Sequence, residues 1–360
     1  MPANISIQVF NHFAGLAQAF PSLLAEQGST EIFYTPEWFA ALSRHGNTFQ
    51  DSTQLIVAHD TETGAAICLP TIDGKDLDSL SNYYASLFGP IGLPENVTEA
   101  SCQAIGQWLY AQPQRWPLLN FQPLDTMHPF FANMLPALQA AGYWADSYSC
   151  FGNWYLDVAG CSYADYLAKR PSTLRNTIDR NQRKTQKAGQ VDIEIHQKPG
   201  ADLEAAINSF AAIYQQSWKP AETHPDFITE LCRMGAQQGW LRLGILKSRG
   251  DAIAAQIWLV YAGKANIFKL AYIEGRNRFS AGTLLTAELM RHVIDVDRVH
   301  EVDYLTGDDA YKRDWMSHRR ERKGIIAFHP RTLRGLFMGS KHSLGKLIRQ
   351  IRQSKCSSTT

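Results

Sequence analysis

Three apolar runs, residues 241–247, 252–261 and 265–273, follow one another with only Ser248-Arg-Gly-Asp251 and Ala262-Gly-Lys264 between them. Parallel neighbours need a crossover of a dozen or more residues, so connections this short force an antiparallel meander. A doubly wound parallel sheet is thereby excluded. Ahead of the meander the pattern predicts a strand at 191–196 and helices at 202–216 and 225–238. Behind it come a helix at 282–296, a strand at 301–306, a helix at 309–317 and a strand at 324–329. The expected fold class is α/β (α+β), a mixed and mostly antiparallel sheet flanked by helices.

The rest of the chain alternates in the same way. A strand at 5–10 precedes a helical stretch at 12–26, and Thr35 caps a helix that Pro36 opens and that continues through 37–44. Strands at 54–59 and 66–72 flank the turn Asp60-Thr-Glu-Thr-Gly64, a hairpin signal. An aromatic, glycine-rich loop at 79–94 carries Asn82, Tyr83 and Tyr84. Helices at 99–111 and 129–141 alternate with strands at 118–122 and 143–150, and the short connection 150–152 leads to a strand at 153–157. Ser162 and Asp165 form a capping box for a helix at 163–169, and a basic helix fills 172–188.

At 360 residues the chain fits two domains, drawn here at 1–150 and 151–330, with a tail at 331–360. Charge divides along the same line. Residues 1–150 hold 3 Lys/Arg against 13 Asp/Glu, whereas 151–360 hold 32 against 21. Either the basic half attracts an anionic ligand or the opposite charges dock the two halves. The tail has seven Lys/Arg and no acid among recurring leucines and isoleucines. Such a basic amphipathic helix either makes a weak contact with an anionic membrane or packs on the domain with its charges solvated.

No run reaches the 18 or so apolar residues of a membrane span, and the N-terminus lacks a secretory pattern. Six cysteines without regular spacing read as free thiols. There is no HExxH, DxDxDG, P-loop or GxSxG, and the histidines lack ligand spacing. Neither a metal nor a tightly bound cofactor is expected, and no DNA.

Two stretches carry chemistry. In 270–285 a strand runs through a loop with Arg276 and Arg278 into a helix opened by Ser280, Ala281, Gly282 and Thr283. A helix start with small residues suits phosphate oxygens, and the arginines add charge. The plain alternative is a strand–helix turn with Ser280 as its cap. In 301–315 a strand ends at Gly307, followed by Asp308, Tyr311, Lys312 and Trp315. Asp308 is either a helix cap or a base, and Tyr311 is the residue placed to donate a proton. Trp218 and Lys219 border the same cleft, unless Trp218 belongs to the core. Arg175, Arg180, Arg183, Lys184 and Lys187 form either a solvated face or a grip for phosphopantetheine, a carrier protein or tRNA phosphates.

These stretches resemble the GNAT superfamily, and within it the FemAB-like, CelD-type (cellulose-biosynthesis-like) N-acyltransferases. The resemblance rests on Ser280-Ala-Gly282 and on Gly307-Asp308-Asp-Ala-Tyr311-Lys312-Arg-Asp-Trp315. It extends to the basic helix 174–189 and to Ser217-Trp218-Lys219, covering about 150–330. In the first half it rests on Pro36-Glu37-Trp38-Phe39 and the loop 82–84. It implies two tandem GNAT-like domains and direct attack of an amine on an acyl-CoA or acyl carrier protein thioester in a ternary complex. The acceptor would be a small-molecule or cell-surface amine, and aminoacyl-tRNA is the alternative donor. In this reading a backbone N–H near Leu270 or Ala271 holds the acyl oxygen, and Tyr311 protonates the leaving group. Asp308 is the base, and Trp218, Lys219 and Lys312 contact substrate. One departure stands out. The superfamily loop Arg/Gln-x-x-Gly-x-Gly/Ala falls on Arg278-Phe-Ser-Ala281-Gly-Thr283, without either glycine at its expected place. A rival reading is a non-catalytic module whose basic half binds nucleic acid or an anionic membrane.

Overall fold

The computed structural model describes residues 4–25, 29–46, 52–188, 191–275 and 280–357, without the side chains of 187, 188 and 347–357. Twelve strands form one sheet among the described residues: β1 Ile5–Phe10, β2 Thr53–Asp60, β3 Ala66–Asp73, β4 Leu77–Ser79, β5 Leu118–Asp125, β6 Trp144–Asp157, β7 Val191–His196, β8 Leu241–Ser248, β9 Asp251–Tyr261, β10 Lys264–Tyr272, β11 Glu301–Asp303 and β12 His318–Phe328. Their order is β1-β2-β3-β4-β5-β12-β6-β11-β10-β9-β8-β7. The order reads the same from either edge once β1–β6 are matched to β7–β12. Both halves also place their parallel pair at the corresponding position, β4 with β5 and β10 with β11, and all other pairs are antiparallel. Two copies of one topology are therefore joined through the central pair β6 and β12, each strand lying next to the other half's last antiparallel neighbour.

The helices are α1 Phe13–Ala19, α2 Pro21–Ala25, α3 Pro36–His45, α4 Glu99–Ala111, α5 Pro129–Ala141, α6 Tyr163–Ala168, α7 Ser172–Ala188, α8 Ala201–Gln215, α9 Pro225–Gln237, α10 Ala281–Arg291, α11 Lys312–Trp315 and α12 Leu333–Ser357. Thr35 accepts a hydrogen bond from the Trp38 N–H and caps α3, and Ser162 with Asp165 closes a full capping box on α6. Along β9, Ile257 and Leu259 enter one hydrophobic core and Trp258 the other, because successive strand side chains take opposite faces. Both faces of the second half are thus covered. One of these cores also contains Trp38, Phe39 and Leu42 of α3, packed against α9 and β10. Trp38 meets Phe227 edge-to-face at 5.6 Å and Phe268 at 6.0 Å.

Five elements differ from their expected form. The stretch 12–26 breaks after Phe20, where Pro21 supplies no N–H to continue α1 and instead opens α2; its last residue, Glu26, lies outside the described residues. Residues 150–152 are not a connection, because β6 runs unbroken from Trp144 to Asp157. The strand expected at 301–306 ends at Asp303, and the helix expected at 309–317 is a single turn. The strand expected at 324–329 begins six residues earlier, at His318. Its charged start, His318-Arg-Arg-Glu-Arg-Lys323, looks unlike a central strand. It is one because its arginines are neutralised in place. Arg320 reaches Glu301 (2.8 Å) and Asp303, and Arg322 reaches Asp125 at 2.9 Å.

Candidate functional site

The site begins where two strands part. β10 and β11 pair only over Lys264–Asn266 and Glu301–Asp303. Beyond that point β10 keeps β9 as its sole partner to Tyr272, while the chain after Asp303 turns away. A bulge at Phe268, where the register with β9 shifts, bends β10 at the start of this opening. The Ile273 N–H donates to the Ile253 carbonyl at 3.0 Å. Antiparallel ladders alternate every second residue, so Lys269 and Ala271 direct their backbone groups to β9. Leu270 and Tyr272 direct theirs into the wedge. Of the two expected oxyanion donors, Leu270 therefore has its N–H at the opening. Ala271 does not, and its methyl group is buried in the core.

A cavity of about 250 Å³ fills the wedge. Leu270 lines one side, Tyr304, Thr306, Asp309, Tyr311 and Lys312 another, and Lys219 a third. Tyr83, Tyr84 and Ser86 close it from the first half of the chain. Ser86 and Thr306 share a hydrogen bond of 2.8 Å between hydroxyls. The aromatic loop expected near 79–94 is thus a wall of the site in the second half.

Three lysines surround this space with different duties. Lys269, only 7% exposed, donates to the Tyr83 hydroxyl (2.9 Å) and pairs with Glu222. The rings of Tyr83, Tyr84 and Tyr214 stand 5.0, 4.9 and 4.9 Å from its ammonium, a cation–π enclosure. Lys312, 4% exposed, donates to the carbonyls of Tyr304 (3.3 Å), Thr306 and Gly307 (3.3 Å) and lies 3.4 Å from Asp309. Burial lowers its pKa, and the carbonyls and Asp309 keep the charge satisfied. It ties down the turn that carries Tyr311 more than it offers itself to a ligand. Lys219 is half-buried and, among the described residues, has no carboxylate within ion-pair distance; the rings of Trp218 and Tyr214 lie 5.6 and 6.0 Å from its ammonium. Burial first, then the positive charges of Lys269 and Lys312, hold its pKa below the usual lysine value.

Tyr311 occupies the residue before α11 and reaches the cavity with half its surface open, its ring edge-on to Tyr304 at 5.6 Å. Burial and the nearby Asp309 push its hydroxyl up to about 12, so it holds its proton at neutral pH. Asp308 is not the cap expected of it, since α11 has no side-chain cap, and it stands outside the cavity. Its carboxylate accepts from the Trp154 indole N–H (2.6 Å) and from Arg319 (2.9 and 2.7 Å), and these bonds hold its pKa down. The carboxylate beside the cavity is that of Asp309.

At the start of α10, Ser280 holds the N-cap position expected of it, in a left-handed backbone (φ 50°), without a capping hydrogen bond from its side chain. Ala281 is buried, and the Gly282 carbonyl accepts from Gln256 (3.1 Å) and Thr286 (2.9 Å). A Cβ on Gly282 would stand 3.2 Å from the Tyr272 ring. Trp218, exposed and not in the core, packs against that ring with centroids 4.3 Å apart and planes tilted by 40°. The pair Trp218–Tyr272 thereby bridges the segment before Lys219 to the first turn of α10. Ser280, Ala281, Gly282 and Thr283 are not part of the cavity lining. Arg276 and Arg278 lie outside the described residues.

Sequence reading missed Lys269, Asp309, Tyr304, Tyr214 and Glu222. A lysine inside the otherwise apolar run Ile267–Ala271 was the available signal, since a strand buried on both faces accepts a charge only when partners wait for it. Among the described residues no group of three His, Cys, Asp or Glu side chains is placed to hold a metal ion. Among the described residues no helix is long and apolar enough to cross a membrane.

Residues 172–313 match the family model described as an acetyltransferase (GNAT) domain. No curated protein matches the chain in a sequence comparison. Among solved structures, FemX aligns with a TM-score of 0.61 at 8% identity, over 87% of this chain and 96% of that one. L-PGS from Bacillus licheniformis aligns with 0.51 at 13% identity, over 87% and 98%. A tandem GNAT protein from the clavulanic acid biosynthesis pathway aligns with 0.50 at 12% identity, over 90% and 98%.

Proposed function

We propose, proceeding from a chain of GNAT-type, FemAB-like fold whose residues 172–313 match a GNAT acetyltransferase domain, that it transfers an acyl group from a thioester to an amine. The donor is acyl-CoA or an acyl carrier protein thioester. The observation that carries the reading is the wedge between β10 and β11, where an unpaired strand edge, a protonated tyrosine and an unpaired lysine border one cavity.

In this mechanism the acyl carbonyl lies along the open edge of β10, accepting from the Leu270 N–H. The amine nitrogen attacks the carbonyl carbon, and the developing oxyanion is held by that backbone donor. The carbon–sulfur bond then breaks. Tyr311 gives its proton to the departing thiolate, and the proton lost by the amine passes to Asp309 or through water and restores the tyrosine. Lys219 supplies positive charge to a phosphate or carboxylate of the bound molecules. Much of the rate comes from holding two substrates in one cleft.

Release of free thiol across a panel of acyl-CoA donors and amines tests the proposal. Turnover with at least one pair is expected. Tyr311→Phe should lower the rate on the order of 100-fold or more while the donor dissociation constant stays within about twofold. An undiminished rate in that variant, or no thiol released from any donor, would count against it. Aminoacyl-tRNA is the second donor reading, favoured by the groove along α7, where Arg180, Arg183 and Lys184 outnumber the one acid, Asp179, beside Asn176. Ribonuclease sensitivity of the reaction separates the two.

A further inference from the structure

The C-terminal helix α12 is docked with its apolar face outward. Its inner side carries Gly335, set against the turn before the helix, and Gly339, set against the ends of β6 and β12. A Cβ on Gly335 would stand 2.2 Å from the His329 carbonyl oxygen, and one on Gly339 would stand 2.8 Å from the Trp144 ring. Polar ties complete the docking. Arg334 pairs with Asp76 (2.8 Å), and His342 and Lys346 reach Asp146 at 3.1 and 2.7 Å. What remains facing solvent is Leu333 at 89% exposure, Phe337 at 71%, Leu344 at 59% and Leu336 at 37%. These positions fall on one stripe of a 3.6-residue helix. Burial of that stripe on the sheet would have been the ordinary outcome, and close packing through Gly335 and Gly339 has turned it the other way.

The charges that the helix itself carries beside the stripe have one sign. Arg331 and Lys341 are exposed beside it, and residues 331–360 hold seven Lys/Arg and no acid. A second copy of the chain would bring an equally basic helix against it, so like charges would face each other. An anionic lipid surface offers both an apolar interior and opposite charge. Topology adds a direction. β11 and β12 are each antiparallel to β6, so they run the same way. The wedge between β10 and β11 therefore opens toward the end of the sheet at which β12 finishes and α12 begins.

We propose that the outer face of α12 docks on an anionic membrane surface. Phe337 and the leucines enter the boundary between headgroups and acyl chains, and the flanking lysines and arginines meet lipid phosphates. The inference stands on α12 alone and does not depend on acyl transfer.

Co-sedimentation of the full chain with vesicles tests it. Binding to vesicles of equal parts phosphatidylglycerol and phosphatidylcholine should exceed binding to phosphatidylcholine alone by about tenfold or more. The double variant Phe337→Glu/Leu344→Glu changes two solvent-facing side chains, so its circular dichroism and Tm should be unchanged. Its affinity for the anionic vesicles should fall by about tenfold or more. Equal binding to both vesicle types, no binding to either, or full binding by the double variant overturns the proposal. A dimer in analytical ultracentrifugation that the double variant dissociates, without vesicle binding, would assign the face to a second copy instead.

Discussion

Lys219 is the cavity lysine that has no carboxylate partner among the described residues, and its position sets a pH dependence. Its pKa is lowered by burial and by the charges of Lys269 and Lys312. If its ammonium grips an anionic group of the donor, binding is strongest while it is protonated. Affinity then falls as pH rises through that lowered value, below the roughly 10.5 of an ordinary lysine. Lys219→Met should raise the donor KM about tenfold and remove this limb from the pH profile. The stability sign runs the other way. Between the lowered folded value and the unfolded value, the unfolded chain binds more protons, so the wild-type protein gains stability as pH rises there. Denaturant titrations at neutral and alkaline pH should show this gain in the wild type and not in Lys219→Met. A KM unmoved by the substitution would remove Lys219 from the binding site.

At the scale of elements, Lys269 is the fastener. It joins β10 to the aromatic loop through Tyr83 and to the segment before α9 through Glu222, which also accepts from Tyr84. The His224 N–H closes the arrangement by donating to the Tyr84 hydroxyl at 3.0 Å. Glu222 has little access to water, with 12% of its side chain exposed. Removing one member of such a pair leaves a buried charge without its partner. Lys269→Met should therefore cost about 3–5 kcal/mol in urea unfolding, and Lys269→Met/Glu222→Gln should recover a large part of that. A single-variant loss under about 1 kcal/mol would show that the pair is hydrated and the wall independently stable.

For the molecule as a whole, the exchange of β6 and β12 decides cooperativity. β12, from the end of the chain, pairs with β5 of the first half and with β6, and Asn153, Glu301, Asp303 and Arg320 form a polar array across β6, β11 and β12. Trp38 carries one core from α3 into the second half. Neither half closes its sheet alone. Heat or urea unfolding followed by circular dichroism and by tryptophan fluorescence should therefore give one coincident transition. Arg320→Met, which takes the nearest cation from Glu301 and Asp303 and leaves them the more distant Lys264 and Arg322, should shift both signals together by about 1–3 kcal/mol. Two separated transitions would show that the halves unfold as independent units.

Local pattern determined a large part of this protein. The meander, the hairpin of β2 and β3, the caps at Thr35 and Ser162, and the spans of α4, α5 and α7 follow from apolar period, turn residues and capping chemistry within a few residues. Tyr311 at the cavity belongs with these, because a short motif brought it there. Tertiary structure alone decided the rest. The arginine-rich start of β12 became a central strand because carboxylates from distant elements neutralise it. Asp308 turned to Trp154 and Arg319, and its neighbour Asp309 met the cavity. Lys269 became the anchor of a wall built by residues nearly 190 positions earlier. α12 turned its leucines outward because two glycines let its other face lie closer to the sheet. Each of these depends on partners far away in the chain, and sequence spacing carries no record of such distances.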